Sequence, residues 1–314
     1  METSHTNPRA RMSLAAVTKG PRRAPQRTVI YGTEGIGKST WASHAPGVIW
    51  LPVEEGANAL DVASFPRVLS WGDVIDALDV LTKEEHEYKT LVVDTLDALE
   101  PIVWARTCAT RLNGEKRATS IEDYGFAKGY IYAVDLWSEL LSRLDALRDQ
   151  RGLDVILVAH AALITIKSPD TEDFQRYDLK LHHKASARVR EWADHVVFAT
   201  NQLGLAKVNQ RMKVTSLGDR VLHTVSAAGW AAKTRSDAPA ELPLSYDAWV
   251  EATSAPESRE AVLARIETAL SRTPKEKHAK VRDAIAAALA GTDPLGRLRA
   301  VENKLALTLN KETA

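Results

Sequence analysis

Cysteine is nearly absent from this chain of 314 residues, and neither sign of charge is in excess. The one cysteine, Cys108, can form no internal disulfide and no cysteine metal site, which is typical of a reducing compartment. We therefore expect a cytoplasmic protein, in the host cytoplasm if a phage encodes it. Because 41 Lys and Arg residues balance 41 Asp and Glu residues, no overall field attracts nucleic acid, and any such binding must depend on local basic patches.

Long hydrophobic runs are missing as well. The most apolar stretch, 153–166, includes Asp154 and His160 and is too short for a membrane span, which needs about 20 residues. Residues 1–27 are rich in arginine but lack the apolar segment of a secretory signal. We expect a flexible basic leader over 1–27 and no membrane partner.

Short apolar runs that alternate with a helical pattern indicate an α/β fold. Four runs predict strands, at 28–31, 48–53, 90–93 and 154–159. Between the last two, apolar residues over 134–147 recur at helical spacing, so this helix should pack one face on the sheet. Strands that alternate with helices predict a mostly parallel central sheet flanked by helices, with right-handed crossovers. Later runs predict further strands, several of them antiparallel, at 193–200, 205–209, 212–216 and 221–226.

The length of the chain predicts one large domain with a smaller appendage. Beyond the turn-rich stretches at 239–243 and 253–256, apolar stripes recur at helical spacing without a strand signal. We therefore divide the chain into a leader at 1–27, an α/β domain at 28–254 and a small C-terminal helical module at 255–314.

A glycine-rich octet lies between the first predicted strand and a predicted helix. Residues 32–39 match the pattern G-x-x-x-x-G-K-[ST] at every defined position. Glycines let the backbone turn its N–H groups toward phosphates, while Lys38 reaches the β- and γ-phosphates and the Ser39 hydroxyl binds Mg²⁺. We predict a site for ATP and Mg²⁺ rather than a chance glycine-rich turn. The predicted nucleotide-binding residues are Gly32, Thr33, Glu34, Gly35, Ile36, Gly37, Lys38, Ser39 and Thr40.

Asp94 ends the third predicted strand, where a P-loop enzyme places the carboxylate that holds Mg²⁺ through water. The alternative is an aspartate that only caps a loop. The next residue is Thr95 and not glutamate, so the base that activates water must come from another segment.

Glu54 and Glu55 follow the second predicted strand, whose carboxyl end should open onto the crevice of the phosphate loop. A carboxylate there can orient and deprotonate the attacking water. Glu54 is the first candidate for this base and Glu55 the second; the alternative is that both are solvated loop acids. His160 ends the fourth predicted strand, where its imidazole can contact the γ-phosphate and relay its loss, or only satisfy local hydrogen bonds.

Lys233 and Arg235 flank a single residue in a polar turn after the last predicted strand. An extended segment with this spacing presents both cations to one phosphate, and across a subunit boundary they would act as arginine-finger residues. The alternative is a solvated charge pair.

With these residues, the chain resembles the RecA-like ATPases of tailed phages, the nucleotide-binding family that includes single-strand annealing recombinases. The resemblance covers most of 13–244 and implies a RecA-like P-loop core. In this family, and in RecA and the replicative helicases, the glutamate after the second strand is catalytic, which implies that role for Glu54. The helicases also carry a Lys-x-Arg finger, which implies that role for Lys233 and Arg235. The matching stretches are 31–40, 53–56, 91–96, 123–125, 128–130, 155–160, 176–184 and 191–194.

The chain departs from this family at Pro52 and Val53, where we expect a smaller polar residue before the glutamate. The C-terminal module is not covered by the resemblance.

By analogy with RecA, two loops at the carboxyl edge of the sheet should line the path of single-stranded DNA. The first spans 107–128 and includes Tyr124 and Phe126; the second spans 161–184. Cations that neutralise phosphates and rings that stack on bases suit a sequence-tolerant groove, although charged side chains are common on any long loop. The predicted DNA-binding cations are Arg111, Lys116, Arg117, Lys167, Arg176, Lys180 and Lys184.

The resulting hypothesis is a DNA-stimulated, homo-oligomeric ATPase that binds single-stranded DNA and promotes annealing or strand exchange in phage recombination. The sequence does not distinguish a ring from a filament. A single-strand-binding protein is a candidate partner of the C-terminal module. The alternatives are a replicative helicase or loader of the same fold, and a P-loop kinase acting on a small molecule or nucleotide. A kinase would also need an acceptor pocket and an arginine-bearing lid, for which the sequence has no clear signature.

Overall fold

The strands of the chain form one mixed sheet around the strand that precedes the phosphate loop. The computed structural model describes residues 17, 24–56, 59–167, 172–208, 211–254, 259–270, 278–291, 294, 297–298, 300–302 and 304–305. The strands are β1 (Arg27–Gly32), β2 (Val48–Pro52), β3 (Ala63–Ser64), β4 (Thr90–Asp94), β5 (Leu112–Asn113), β6 (Lys116–Arg117), β7 (Asp154–Ile166), β8 (Phe174–Leu179), β9 (His195–Val208), β10 (Arg211–His223) and β11 (Glu241–Pro243). The helices are α1 (Lys38–Ser43), α2 (Trp71–Lys83), α3 (Leu96–Thr110), α4 (Lys128–Arg151), α5 (His183–Trp192), α6 (Tyr246–Ser254), α7 (Arg259–Leu270) and α8 (His278–Leu289).

The strand order of the sheet is β11-β10-β9-β1-β7-β4-β2-β3, with β8 paired to the outer part of β7. The strands from β9 to β3 in this order run parallel, whereas β8, β10 and β11 run antiparallel to their neighbours. Strand β7 therefore separates the phosphate-loop strand β1 from β4, which ends at Asp94. Register aligns the carboxyl ends, because Gly32 lies opposite His160 and Pro52 lies opposite Asp94.

Helices cover both faces of the parallel strands. Side chains alternate along β1. Val29 and Tyr31 belong to an apolar cluster with residues of α2, α3, α4 and α5, whereas Ile30 belongs to a second cluster with Trp41 of α1 and Trp249 of α6. Both faces are thus buried, which explains the continuous apolar runs of β1, β4 and the first half of β7. The prediction of an α/β fold with a mostly parallel, helix-flanked sheet is confirmed.

Two strand predictions were wrong in extent. The fourth predicted strand does not end near His160 but continues to Ile166, because β8 takes over as an antiparallel partner over 161–166. The four later runs from 193 to 226 merge into two long strands, β9 and β10, which pair with each other as a hairpin. The extra length of each strand thus comes from antiparallel pairing with the strand that follows it in sequence.

Helices α2, α3, α5 and α6 were not anticipated from the sequence, although the caps of α2 and α3 are visible in it. Helix α2 begins with a capping box, in which the Ser70 hydroxyl accepts from the Asp73 N–H and the Asp73 carboxylate accepts from the Ser70 N–H. Helix α3 begins after Thr95, whose hydroxyl accepts from the Ala98 N–H. A Ser-x-x-Asp pattern before an apolar stripe would have predicted α2.

Helices α7 and α8 share an apolar cluster with described residues near the C-terminus, including Val262, Ile266, Ala288 and Leu298. The division at residue 254 stays a prediction, because 255–258 lie outside the described residues, as does most of the leader at 1–27. Among the described residues, none of the helices combines the length and hydropathy needed to span a bilayer.

Candidate nucleotide site

The phosphate loop joins β1 to α1 through a backbone that only glycine adopts readily. Gly35 has a φ of 71° and Gly37 a φ of 106°, both in the left-handed region. Gly32 is needed for close packing instead, because a Cβ there would lie 2.3 Å from the Ala199 carbonyl oxygen on β9. Backbone shape and packing therefore explain the glycines of the octet.

Lys38 folds back over this loop. Its Nζ donates to the carbonyl oxygens of Gly32, at 3.1 Å, and Thr33, at 2.9 Å. The side chain is buried, and burial lowers the pKa of Lys38 against the opposing attraction of Asp94. A buried ammonium group that is held only by carbonyl oxygens is well placed to exchange them for phosphate oxygens, which form stronger charge-assisted hydrogen bonds.

Ser39 and Asp94 meet beside Lys38. The Ser39 hydroxyl donates to Asp94 Oδ2 at 2.9 Å, and Asp94 Oδ1 is buried without a hydrogen-bond partner among the described residues. Burial raises the pKa of Asp94 to about 6, although the Ser39 hydrogen bond works to lower it. An unpartnered carboxylate oxygen next to a hydroxyl suits Mg²⁺, which prefers oxygen ligands. These two residues therefore fit the ion that the sequence predicted.

A cavity of about 250 Å³ lies between the phosphate loop, the ends of β2 and β4, and the middle of β7. It brings together groups from four separate segments of the chain. Its lining residues are Gly35, Gly37, Lys38, Ser39, Thr40, Glu54, Asp94, Thr95 and His160.

The two candidate bases differ in position. Glu54 lines the cavity, and its backbone N–H donates to the Asp94 carbonyl oxygen at 3.3 Å. Glu55 is not among the lining residues: its carboxylate pairs with Arg67 at 2.7 Å, and its side chain is 71% exposed. Geometry therefore favours Glu54 over Glu55 as the group that contacts a water molecule in the cavity.

His160 is held in the cavity by Asp97. The His160 N–H donates to Asp97 Oδ1 at 2.9 Å, and His160 Nδ1 lies 2.8 Å from Asp97 Oδ2. The hydrogen bond with Asp97 raises the pKa of His160, against the effect of burial. Burial works to raise the pKa of Asp97, but the bonds from His160 outweigh it and leave the value lowered. The pair thus favours the charged form of the imidazole in the cavity.

Residues 24–236 match the model of the AAA domain family. The chain belongs to the AAA domain family. It is accordingly an AAA-type P-loop ATPase, and this class binds nucleotide, typically with Mg²⁺.

One curated protein and one solved structure are similar to parts of this chain. The "SPbeta prophage-derived uncharacterized protein YorG" of Bacillus subtilis (strain 168) is 28% identical over 137 residues, which are 42% of this chain and 40% of that protein. The match thus spans well under half of the relative's length. The crystal structure of the RadB recombinase aligns with a TM-score of 0.34 and 14% identity, over 64% of this chain and 80% of that one.

In this AAA domain, Lys233 and Arg235 are bonded within their own chain. Lys233 Nζ donates to the carbonyl oxygen of Arg190 at 2.7 Å, at the end of α5. Arg235 pairs with Asp194 at 3.0 Å and stays 57% exposed. Neither residue lines the cavity, and Lys233 pairs with Val196 near the amino end of β9. Within the described chain, neither side chain contacts the phosphate cavity.

The predicted DNA loops of the AAA domain are partly regular structure. The first holds the β5–β6 hairpin and a 3-10 helix at Ile121–Tyr124, and the second is built from β7, β8 and the start of α5. Among their cations, Arg111 pairs with Asp135 and Arg176 with Asp178. The remaining five form no ion pair in the described part of the chain: they are the exposed Lys116, Arg117, Lys167 and Lys180 and the half-buried Lys184.

Glu100 was not singled out from the sequence. It lies one turn after Asp97 on α3, and its two carboxylate oxygens each accept from the His182 N–H at 3.0 Å. Burial raises the pKa of Glu100 to about 7. The only sequence signal for Asp97 and Glu100 is their spacing behind the Thr95 cap, which puts them on neighbouring turns of one helix face. Nothing local indicates that they contact β7 and α5.

Proposed function

We propose that this AAA-type ATPase binds single-stranded DNA at the carboxyl edge of its sheet and uses ATP hydrolysis to promote annealing or strand exchange in phage DNA recombination. The prophage origin of one relative supports the phage setting. The site itself supports hydrolysis of a bound triphosphate. Support for DNA binding comes from the contacts between that site and the two exposed segments at the sheet edge.

The observation that carries the proposal is a direct bond between the two sites. The His160 side chain lines the phosphate cavity, while its carbonyl oxygen accepts a hydrogen bond of 2.9 Å from the Lys180 N–H. Lys180 follows β8 and is exposed at the sheet edge. A shift of His160 when the γ-phosphate leaves would therefore displace the backbone that presents Lys180.

A second route joins the cavity to both DNA segments. Asp97, which holds His160, shares α3 with Glu100, and Glu100 accepts from the His182 N–H at 3.0 Å. The His182 ring stacks on Tyr130 with centroids 4.0 Å apart. Tyr130 lies in the first turn of α4, directly after the first segment. The two segments are thus neighbours and share one connection to the phosphate site.

The exposed chemistry of these segments fits single-stranded DNA. Lys116, Arg117, Lys167 and Lys180 offer cations for backbone phosphates. Phe126 is 97% exposed, and both it and Ala127 have positive φ values, of 47° and 56°. Such backbone is uncommon for residues other than glycine and turns the ring outward. Exposed rings and cations are the groups that bind single strands without reading their sequence.

Hydrolysis would depend on the groups gathered in the cavity. Ser39 and Asp94 would hold Mg²⁺, which supplies positive charge to the phosphates when it is bound. Glu54 would accept the proton of the attacking water. Lys38 and the His160 imidazolium would offset the charge that builds up on the γ-phosphate oxygens.

The active form would be a homo-oligomer, a ring or a filament, in which Lys233 and Arg235 face the nucleotide of the neighbouring subunit. Arg235 would exchange its exposed bond to Asp194 for a phosphate contact. ATP bound at such an interface would stabilise the assembly and hydrolysis would loosen it. A single-strand-binding protein is a further partner that we propose for the C-terminal helices.

The test is ATP turnover by the full chain with and without single-stranded DNA, together with annealing of complementary strands. We expect stimulation by DNA and a clear loss of it in Lys180→Ala. Lys280→Ala, an exposed lysine on α8, is the matched control. No binding at low salt and no stimulation would exclude the recombination function. Unwinding of a forked duplex would favour a helicase, and transfer of the γ-phosphate to a nucleoside would favour a kinase.

A further inference from the structure

The groups that act on the γ-phosphate all lie on one side of the phosphate-loop strand. Glu54 follows β2, Asp94 ends β4, and His160 lies on β7, and these strands follow one another outward from β1. The opposite side of β1 is formed by β9 and β10. A triphosphate with its γ end among Glu54, Asp94 and His160 must therefore have its nucleoside end displaced toward β9 and β10.

Arg220 lies on that opposite side, next to the phosphate loop. Arg220 lies on β10, just past an irregularity in the pairing with β9, and one guanidinium nitrogen, Nη1, comes within 3.1 Å of the position that a Cβ of Gly37 would take. The Arg220 side chain is exposed and forms no ion pair or side-chain hydrogen bond within the described residues. An unpaired guanidinium thus lies against the phosphate loop.

Leu244 lies beside Arg220 and also faces Gly37. Its Cδ2 lies 3.6 Å from the same Gly37 position, and its N–H donates to the Arg220 carbonyl oxygen at 2.9 Å. Leu244 packs at the margin of the apolar cluster that contains Trp41 and Trp249, so it is held by the core while its exposed part faces the loop. A cation and an apolar surface lie side by side next to Gly37.

We propose that Arg220 and Leu244 bind the nucleoside end of the nucleotide. Arg220 contacts the α-phosphate, since the guanidinium offers a planar set of donors that matches phosphate oxygens. Leu244 packs against the sugar or base, for which an apolar side chain is the usual neighbour. This inference rests on the nucleotide site of the proposed function but not on its DNA activity.

The position of the contact separates it from a role in hydrolysis. ATP and ADP share the α-phosphate and the nucleoside, so a residue at this end stabilises both complexes alike. A residue that acts on the γ-phosphate, such as Glu54, changes the rate of hydrolysis and not the affinity for ADP. Arg220 is accordingly a binding residue, and its substitution lowers both affinities by the same factor.

Titration of the full chain with fluorescent ADP and with a non-hydrolysable fluorescent ATP analogue tests this inference. We expect Arg220→Ala to weaken the affinity for each nucleotide about tenfold or more, as for the loss of a charge-assisted hydrogen bond. Arg220→Lys should retain part of that affinity. Leu244→Ala should weaken both by a smaller factor. Arg282→Ala, an exposed arginine on α8, should leave both unchanged.

Unchanged ADP affinity in folded Arg220→Ala and Arg220→Lys proteins would overturn the inference, as would a loss confined to the ATP analogue. Melting temperatures of the two variants establish that they are folded. The proposed function fails separately: if DNA does not stimulate turnover but Arg220→Ala still weakens ADP and ATP equally, only the DNA activity is lost. If the wild-type protein binds neither nucleotide, both fail together.

Discussion

His160 Nδ1 lies 2.8 Å from Asp97 Oδ2 and joins strand β7 to the first turn of helix α3 at the edge of the phosphate cavity. This contact gives His160 a raised pKa, first through the hydrogen bond itself and then through the charge of Asp97. The histidine is thus held by a residue that lies 63 positions away in sequence.

Asp97→Asn should lower the pKa of His160. A histidine whose folded-state pKa is raised stabilises the fold at pH values below its unfolded pKa, and this stabilisation is lost as pH rises through the folded-state value. The variant should therefore lose most stability relative to the wild type at pH 6 and less at pH 9. Titration of the His160 ring by NMR gives the pKa directly, and an unchanged value in Asp97→Asn would contradict the ion pair.

Asp94→Asn should stabilise the metal-free, nucleotide-free protein at pH 8. Burial raises the pKa of Asp94 to about 6, so ionising it costs more in the folded than in the unfolded chain, and the free energy of unfolding falls as pH rises from 4 to 6. The amide removes this cost, worth about 1–3 kcal/mol, and its oxygen can still accept from Ser39. Thermal unfolding at pH 4 and pH 8 measures the difference, which should vanish at pH 4. With Mg²⁺ and ATP present, the order should reverse, because the variant has lost a ligand.

Glu54→Gln should slow hydrolysis about 10²- to 10⁴-fold, as expected for loss of a general base, with little change in ATP affinity. Glu55→Gln is the matched control, since Glu55 pairs with Arg67 outside the cavity lining and should leave the rate nearly unchanged. Single-turnover hydrolysis separates chemistry from product release. Equal loss in the two variants would remove Glu54 from the role proposed here.

Phe126→Ala should weaken binding of single-stranded DNA by roughly 5- to 150-fold, because stacking of one base on a ring is worth about 1–3 kcal/mol. Leu69→Ala serves as the control, since Leu69 is 75% exposed but precedes α2 and belongs to neither segment. Fluorescence anisotropy with labelled oligonucleotides measures the affinity. Because Phe126 carries no charge, its loss should not change the salt dependence, whereas Lys116→Ala should reduce the slope.

Lys233→Ala and Arg235→Ala should each reduce ATP turnover, by as much as about 10³-fold if they act as fingers, without weakening nucleotide binding. Mixing either variant with Lys38→Ala should restore activity, since some interfaces then combine an intact phosphate loop with an intact finger. A mixture of Lys38→Ala with Glu54→Gln should stay inactive, because both lesions fall in the same cavity. If neither Lys233→Ala nor Arg235→Ala regains activity when mixed with Lys38→Ala, the two residues have a purely structural role.

Local patterns were sufficient for the phosphate loop and its strands. The glycine spacing, the apolar run before it and the aspartate that ends β4 each depend on a few consecutive residues, so β1, β2 and β4 were predicted to within one residue at each end. The end of β7 was wrong, because that strand is prolonged by pairing with β8 and not by its own composition.

The residues that contact the site from distant segments could not be predicted from the sequence. Asp97 bonds to His160, and Arg220 lies beside Gly37. Both pairs are distant along the chain and meet only because β7 lies between β1 and β4 while β10 lies on the other side of β1. The strand order depends on long-range pairing that no local pattern reports. Glu54, in contrast, was placed correctly at the cavity because it directly follows a strand whose direction the fold class already implies.

Strand β7 belongs to two structures at once. Its first half is a buried member of the parallel sheet, and its second half is one arm of an antiparallel hairpin with β8. His160 stands at the junction of the two. Because no turn or linker separates the two halves, any change in the backbone at His160 would be passed directly to the hairpin, without a flexible joint to absorb it.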